Sequence, residues 1–352
     1  MKIAVLSDIH ANYPALEAVC QHAQDRAERF WFLGDMVGYG PYPVECLNWL
    51  RANVKDEEWV LGNHDAMLLA LSLRERWKKD WEGDDDAQNK AKEQNGFAFR
   101  ELAEVENHEQ RYISQKEKEY QLATAGAAVG KRPHRVIAAL RLNLEAIAES
   151  NEAKTFWQKT FTESRSKPKM IPLSGIDYWL VHASRLPDEQ MGHYVYPWSM
   201  PPYPLERNPH VLPPEINELR AVFAQSQRQI CQWHGHTHVA YLVTLDDPQE
   251  AIQPLSVKIN TPYKLGKAIT LVNPGSVGQP RNGDDRACYA VLDTEERTIT
   301  FHRVPYPKEK TLRLLRGKGY PNEVVDLLRD SPYVKDGGEA WEKNFKEQKD
   351  DV

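Results

Sequence analysis

Six times along the chain a short apolar run stops abruptly at a polar residue. Residues 2–7 run into Asp8 and His10, residues 29–34 into Asp35, and residues 58–62 into Asn63 and His64. Further on, residues 177–181 run into His182, residues 229–233 into His234, His236 and His238, and residues 268–272 into Asn273. Runs of four or five apolar positions, rich in β-branched and aromatic side chains, predict buried strands. Between the first two runs the spacing changes. Leu16, Val19, Cys20 and Ala23 recur at helical intervals, and Pro43–Ala52 predicts a second helix before the third run. Strands whose polar ends lie at the same edge of a sheet bring those ends to one rim, the place where open α/β sheets carry their sites.

From about Leu68 the pattern loses its apolar runs. Residues 72–132 mix charges of both signs, favour helix formers and contain no proline before Arg132, so two or three polar helices are expected there. Residues 135–150 return to an amphipathic pattern, with Leu140, Leu144 and Ile147 on one face. After His182, residues 184–214 carry Tyr194, Tyr196, Trp198 and Tyr203 among prolines, which predicts a long ordered loop whose aromatics could stack on a nucleobase. A helix is expected over Pro213–Ala224, a hairpin over 287–292 and 298–304, a short helix over Pro321–Arg329, and a polar tail from Asp336.

The rim residues are carboxylates, an amide and imidazoles, with no thiolate. That donor set excludes a Cys-type structural zinc site and suits borderline or hard divalent ions such as Mn, Fe or Zn. Asp8, His10, Asp35, Asn63, His182, His236 and His238 are enough for two ions. One carboxylate would have to be shared, because neighbouring cations repel. His234 reads as a packing residue, and His22, His108, His134, His193, His210 and His302 show no ligand spacing. Arg281 and Arg185 are candidates for gripping a phosphate.

Composition narrows the partners. The 352 residues allow one large or two modest domains. A net charge of −6 and a pI near 6.1 give no reason to expect a nucleic-acid backbone or an anionic membrane as partner. Cys20, Cys46, Cys231 and Cys288 lack C-x-x-C spacing and read as reduced core residues of a cytoplasmic protein. No apolar stretch is long enough to span a bilayer, and the chain opens directly into a strand.

Taken in order, Asp8 and His10, Gly34 and Asp35, Gly62 to Asp65, His182, and Gly235 with His236 and His238 resemble the calcineurin-like metallophosphoesterases. The resemblance covers residues 1–71 and about 170–305. Residues 34–41 and 273–281 are similar to the small prokaryotic phosphodiesterase branch and to relatives of diadenosine tetraphosphate hydrolases. The resemblance implies an α/β sandwich of two mixed β-sheets flanked by helices, with a helical insertion. It puts Asp8, His10 and His238 on one metal and Asn63, His182 and His236 on the other, with Asp35 as the bridge. It makes His64 the catalytic group at the leaving-group oxygen. In the protein phosphatases of the superfamily an aspartate three residues after the bridging one orients that histidine; here the position is Gly38.

The expected organisation is therefore a catalytic domain over 1–71 and 133–305, an insertion over 72–132 that could cap the site, and a C-terminal extension over 306–352. The expected activity is metal-dependent hydrolysis of a phosphodiester, with a nucleotide or dinucleotide as first choice of substrate. A phosphomonoesterase, a non-catalytic scaffold of the same fold and a nuclease are the rivals, and the oligomeric state stays open.

Overall fold

The computed structural model describes residues 1–80, 84–103, 105–106, 135–185, 212–252, 255 and 257–330. The aromatic loop residues Tyr194, Tyr196, Trp198 and Tyr203, most of the second half of the insertion, and the polar tail lie outside them.

Among the described residues, ten strands form two five-stranded sheets. They are β1 (Lys2–Leu6), β2 (Arg29–Phe32), β3 (Lys169–Leu173), β4 (Ile176–Leu180), β5 (Gln229–Trp233), β6 (Tyr241–Leu245), β7 (Pro262–Lys264), β8 (Ile269–Asn273), β9 (Ala287–Asp293) and β10 (Thr298–Val304). The first sheet has the order β2-β1-β9-β10-β7 and the second β3-β4-β5-β8-β6. Strands β1 and β2 are parallel, as are β4, β5 and β8. The remaining pairs are antiparallel, so both sheets are mixed. Every apolar run singled out in the sequence lies on one of the parallel strands, apart from residues 58–62, where Trp59 makes only an isolated bridge to Phe32. The edge strands β3 and β7 had no comparable signal, and the apolar run of β6 was not singled out in the sequence.

The period of two along each strand builds the layers. Ile3 and Val5 of β1, Trp31, Ile176, Tyr178 and Leu180 of β4, Trp233 and Phe301 share one apolar cluster. That cluster is the filling between the sheets. The alternate residues Ala4 and Leu6 face a second cluster, shared with Leu16 and Val19 of helix α1 (Tyr13–Ala23) and Leu47 and Leu50 of α2 (Pro43–Asn53). On the far side, Ile230, Tyr241, Val243 and Leu271 pack against Ile216 and Leu219 of a later helix, Leu212–Ser226. The result is helix, sheet, sheet, helix, as expected for an α/β sandwich of two mixed sheets.

Helix α3 (Asn63–Asp80) starts at the rim and leads into α4 (Asp85–Gln94). Phe97, Ala98 and Leu102, within the stretch read as an insertion, are buried in the same cluster as Leu6 and Leu16. Helix α5 (Arg135–Glu149) buries Leu140, Leu144 and Ile147 there, and also Asn143. Then come α6 (Asn151–Thr160), α7 (Glu163–Ser166), α8 (Leu212–Ser226), α9 (Lys308–Gly317) and α10 (Asn322–Asp330). Leu312, Leu315, Tyr320, Val324 and Leu328 at the C-terminal end join the same cluster as α5. No helix among the described residues is long and apolar enough to cross a membrane.

Candidate metal centre

The loops after β1 and β2 zip together through backbone hydrogen bonds. Asp8 N donates to Gly34 O, His10 N to Asp35 O and Ala11 N to Met36 O, at 3.0, 2.8 and 2.8 Å. Across the seam between the sheets, Val277 N and Gly278 N donate to Ser7 O and Asp8 O, both at 3.0 Å. Ser276 Oγ adds a second donor to Asp8 O at 2.8 Å. These bonds hold the backbone where it would not rest by itself. Asp8, His10, Asp35, His236 and His238 all have φ between 48° and 63°. The left-handed region costs a non-glycine residue about 1–3 kcal/mol, and such strain clusters at working sites.

The side chains converge in two groups. One ligand atom each from Asp8, His10, Asp35 and His238 lies within 4.8 Å of the others, and the same holds for Asp35, His182 and His236. Asp35 belongs to both. Its Oδ2 is 3.6 Å from His10 Nε2 and 3.5 Å from His182 Nε2. Its Oδ1 turns the other way and accepts the His64 N–H at 2.9 Å, capping the start of α3. Asn63 Oδ1 is 3.1 Å from His182 Nε2, and His236 Nδ1 is 3.2 Å from the same nitrogen. All seven residues singled out in the sequence as ligand candidates are thus brought to one place and buried, apart from the partly buried Asn63.

The tautomers reveal what the site is built for. His10 Nδ1 donates to Val37 O at 3.1 Å and His238 Nδ1 to Gln279 O at 2.5 Å. A carbonyl only accepts, so each neutral ring keeps its proton on Nδ1 and presents a lone pair at Nε2. Those two Nε2 atoms face each other at 3.1 Å, with Asp8 Oδ1 3.3 Å from the second. Burial holds both imidazoles well below their usual range, so neither supplies a proton to the contact. Acceptors converging on one point fit a cation. On the other side, burial opposes charge on His182, but Asp35 outweighs it and lifts the imidazole to about 9. His182 Nδ1 donates to Leu33 O at 2.8 Å, so its Nε2 also points inward. Burial would raise Asp35, yet His182, His64 and His10 hold its carboxyl well below the ordinary value. Asp8, by contrast, is pushed up by burial to about 7.

His64 stands beside these groups. Its ring packs edge-on against His10 at 4.6 Å and tilts against Tyr39 at 4.7 Å. No carboxylate follows the bridging position, and none would fit. A Cβ on Gly38, where φ is +136°, would come within 2.6 Å of His64 Nδ1 and 2.7 Å of His10 Nδ1. Asp65 does not face His64. Its carboxylate accepts from the N–H groups of Asp35, Met36, Val37 and Gly62 at 2.9–3.1 Å. The bond from Gly62 is the N3-to-N-cap half of a capping box at the start of α3, and the other three tie that helix to the Asp35 loop.

The two arginines separate. Arg281 donates to Gln279 Oε1 at 2.9 Å and approaches Tyr39 OH at 3.4 Å, and its charge acts on Asp8, His10, His236 and His238. Arg185 instead lies over the Trp179 ring at 3.9 Å, with Glu218 and Glu215 as its charge partners. His234 is fully buried against Tyr241 OH, in keeping with a packing role. Asn273 supports the rim from behind, donating to Gly235 O at 2.7 Å. Sequence reasoning missed Asn143, whose amide grips the loop on both sides of Tyr39. A lone Asn on an apolar helical face was the available signal.

A calcineurin-like phosphoesterase family model matches residues 1–240. This chain belongs to the calcineurin-like phosphoesterase family. Among solved structures, a metallophosphoesterase from Sphaerobacter thermophilus superposes with a TM-score of 0.59 and 23% identity, covering 94% of this chain and 99% of that one. A hypothetical protein from Pyrococcus horikoshii gives a TM-score of 0.54 and 16% identity, covering 95% and 99%. These two likenesses concern the fold. Shorter stretches resemble other proteins more strongly. An uncharacterized protein of Methanocaldococcus jannaschii is 46% identical over 79 residues, 22% of this chain and 31% of the relative. A symmetrical bis(5'-nucleosyl)-tetraphosphatase of Psychromonas ingrahamii is 34% identical over 73 residues, 20% and 26% of the two chains. The chain thus spans less than a third of the length of either relative.

Proposed function

We propose that this phosphoesterase holds two divalent cations, Mn, Fe or Zn, and hydrolyses a phosphodiester, with nucleotides or dinucleoside polyphosphates as the substrate class. The single observation that carries the reading is the pair of neutral imidazoles, His10 and His238, aimed lone pair to lone pair beside Asp8 and Asp35. Asp8, His10 and His238 would hold one ion; Asn63, His182 and His236 would hold the other; Asp35 would be shared. Two such cations, when bound, would lend positive charge to the phosphoryl oxygens and lower the pKa of an attacking water.

The chain's own groups do the rest. The carbonyls of Val37, Leu33 and Gln279 accept the Nδ1–H of His10, His182 and His238, so each Nε2 already points at the site. His64 gives a proton to the leaving oxygen or stabilises the charge developing there. Arg281 forks onto a phosphate oxygen, a role supported by the action of its charge on Asp8, His10, His236 and His238. The position of Arg185 on Trp179 gives its phosphate role no such support. The nucleotide preference is supported by the similarity of one segment to bis(5'-nucleosyl)-tetraphosphatases.

A substrate panel in Mn tests the reading. Bis-p-nitrophenyl phosphate, p-nitrophenyl phosphate, cyclic nucleotides and dinucleoside polyphosphates are compared by kcat/KM. Diesters or dinucleotides should exceed the monoester by at least about tenfold, a difference of about 1.4 kcal/mol in transition-state binding. A monoester preference would overturn the substrate class, and inactivity on every ester would overturn the reading itself.

A further inference from the structure

We infer that Asn143 is a positioning residue for His64, acting through the backbone of residues 38–40. The inference rests on the reading of His64 as the group that serves the leaving oxygen. Asn143 is fully buried on the apolar face of α5, among Leu140, Leu144 and Ile147. A primary amide in such a place is costly unless all its groups are bonded. Here Oδ1 accepts the Gly38 N–H at 2.9 Å, and Nδ2 donates to Gly40 O and to Tyr320 OH, both at 2.9 Å. Tyr320, just after α9, donates its own hydroxyl proton to Gly40 O at 3.2 Å. Two elements far apart in sequence therefore converge on one carbonyl.

What they hold has no slack. The two anchored residues flank Tyr39, whose ring rests on His64 at 4.7 Å and on His10 at 4.8 Å. The Gly38 backbone lies so close to His64 that a single added carbon would sit 2.6 Å from Nδ1. A displacement of this loop is passed to the imidazole through the Tyr39 ring that packs on it. The amide is suited to the job because it both donates and accepts, one bond on each side of Tyr39. An aspartate at 143 would keep the acceptor and lose the donor. The C-terminal pair of helices thereby contributes to catalytic geometry without touching the site.

The test is a leaving-group series. Aryl phosphodiesters whose phenols run from strongly to weakly acidic are hydrolysed in Mn by the wild type, Asn143→Leu, Asn143→Asp, Tyr320→Phe, His64→Ala and the packing control Leu144→Ala. Proton delivery matters most when the leaving group is poor. Asn143→Leu should lose about tenfold more kcat on the least acidic phenol than on nitrophenol, with unchanged metal content. Asn143→Asp and Tyr320→Phe should show the same tilt to a smaller degree, and they serve if the leucine variant does not fold. Leu144→Ala should lower the melting temperature with no tilt. A second readout needs no turnover: the His64 ring resonances in the metal-free protein, assigned by their absence in His64→Ala, should shift in Asn143→Asp and Tyr320→Phe. If His64→Ala tilts the series while neither the Asn143 nor the Tyr320 variants do, or the ring resonances stay in place, the positioning role is wrong. If His64→Ala itself shows no tilt, the reading of His64 falls and the inference falls with it.

Discussion

Asp35 does two things with its two oxygens, and the consequences of losing its charge follow from that split. Oδ1 caps the start of α3 and Oδ2 faces both His10 and His182. Asparagine tolerates the left-handed backbone at this position, so Asp35→Asn should fold, but the shared negative charge is gone. Elemental analysis after metal loading should fall from two ions per chain to one or none, with activity reduced by at least about 10³; two retained ions at full rate would refute the bridge. His64→Ala should keep both ions and lose about 10²–10⁴ in kcat, least for nitrophenyl esters. Asp65 was legible only as an acidic neighbour of His64. Its four backbone N–H donors come from Gly62 and from a loop thirty residues away, and no pattern in one sequence announces that pairing. Asp65→Ala strands those donors, and chemical denaturation should show a loss of about 2–4 kcal/mol. The convergence of the seven ligand candidates was legible because each closely follows one of five apolar runs, which fixes both its depth and its side of the sheet.

At the scale of elements, the parallel strands and the helices beside them were easy to read and the antiparallel edges were not. Strands buried on both faces need unbroken apolar runs. Edge strands such as β3, with its alternating burial and an internal proline, do not. The stretch from residue 72 looked detachable because its charges hide the few apolar positions that count. Phe97, Ala98 and Leu102 sit in the same cluster as Leu6 of the central strand, so this part of the chain shares the catalytic core. Leu102→Ala should therefore destabilise the whole protein by about 2–5 kcal/mol in a single transition, without altering metal content. A separate early transition, or no change in stability, would mark the segment as an independent cap. The C-terminal helices carried no functional signal at all. Their contribution passes through Tyr320 and through Thr311, which donates to Asn12 beside the first loop, and such bonds exist only once the fold has formed.

For the molecule as a whole, the position of the site matters as much as its contents. Asp8, His10, Asp35 and Asn63 follow strands or runs of the first sheet, while His182, His236 and His238 follow strands of the second. Ions bound there would cross-link the two sheets at their rims. At a free metal concentration a thousandfold above Kd this adds about 4 kcal/mol to stability, so a chelator should lower the melting temperature by several degrees. The same loss in the Asp35→Asn protein should be much smaller, and equal losses would show that the chelator acts elsewhere. The sheet order also has a meaning in time. Strand β1 pairs with β9, placing Lys2 opposite Asp293. On a ribosome adding about 5–20 residues per second, β1 would wait some tens of seconds for that neighbour. Until then its apolar face has only nearby helices and β2 for shelter. Synthesis, more than equilibrium stability, is when this chain is most exposed to aggregation, and a slowed ribosome or a missing chaperone should lower its soluble yield before any effect on the finished enzyme is seen.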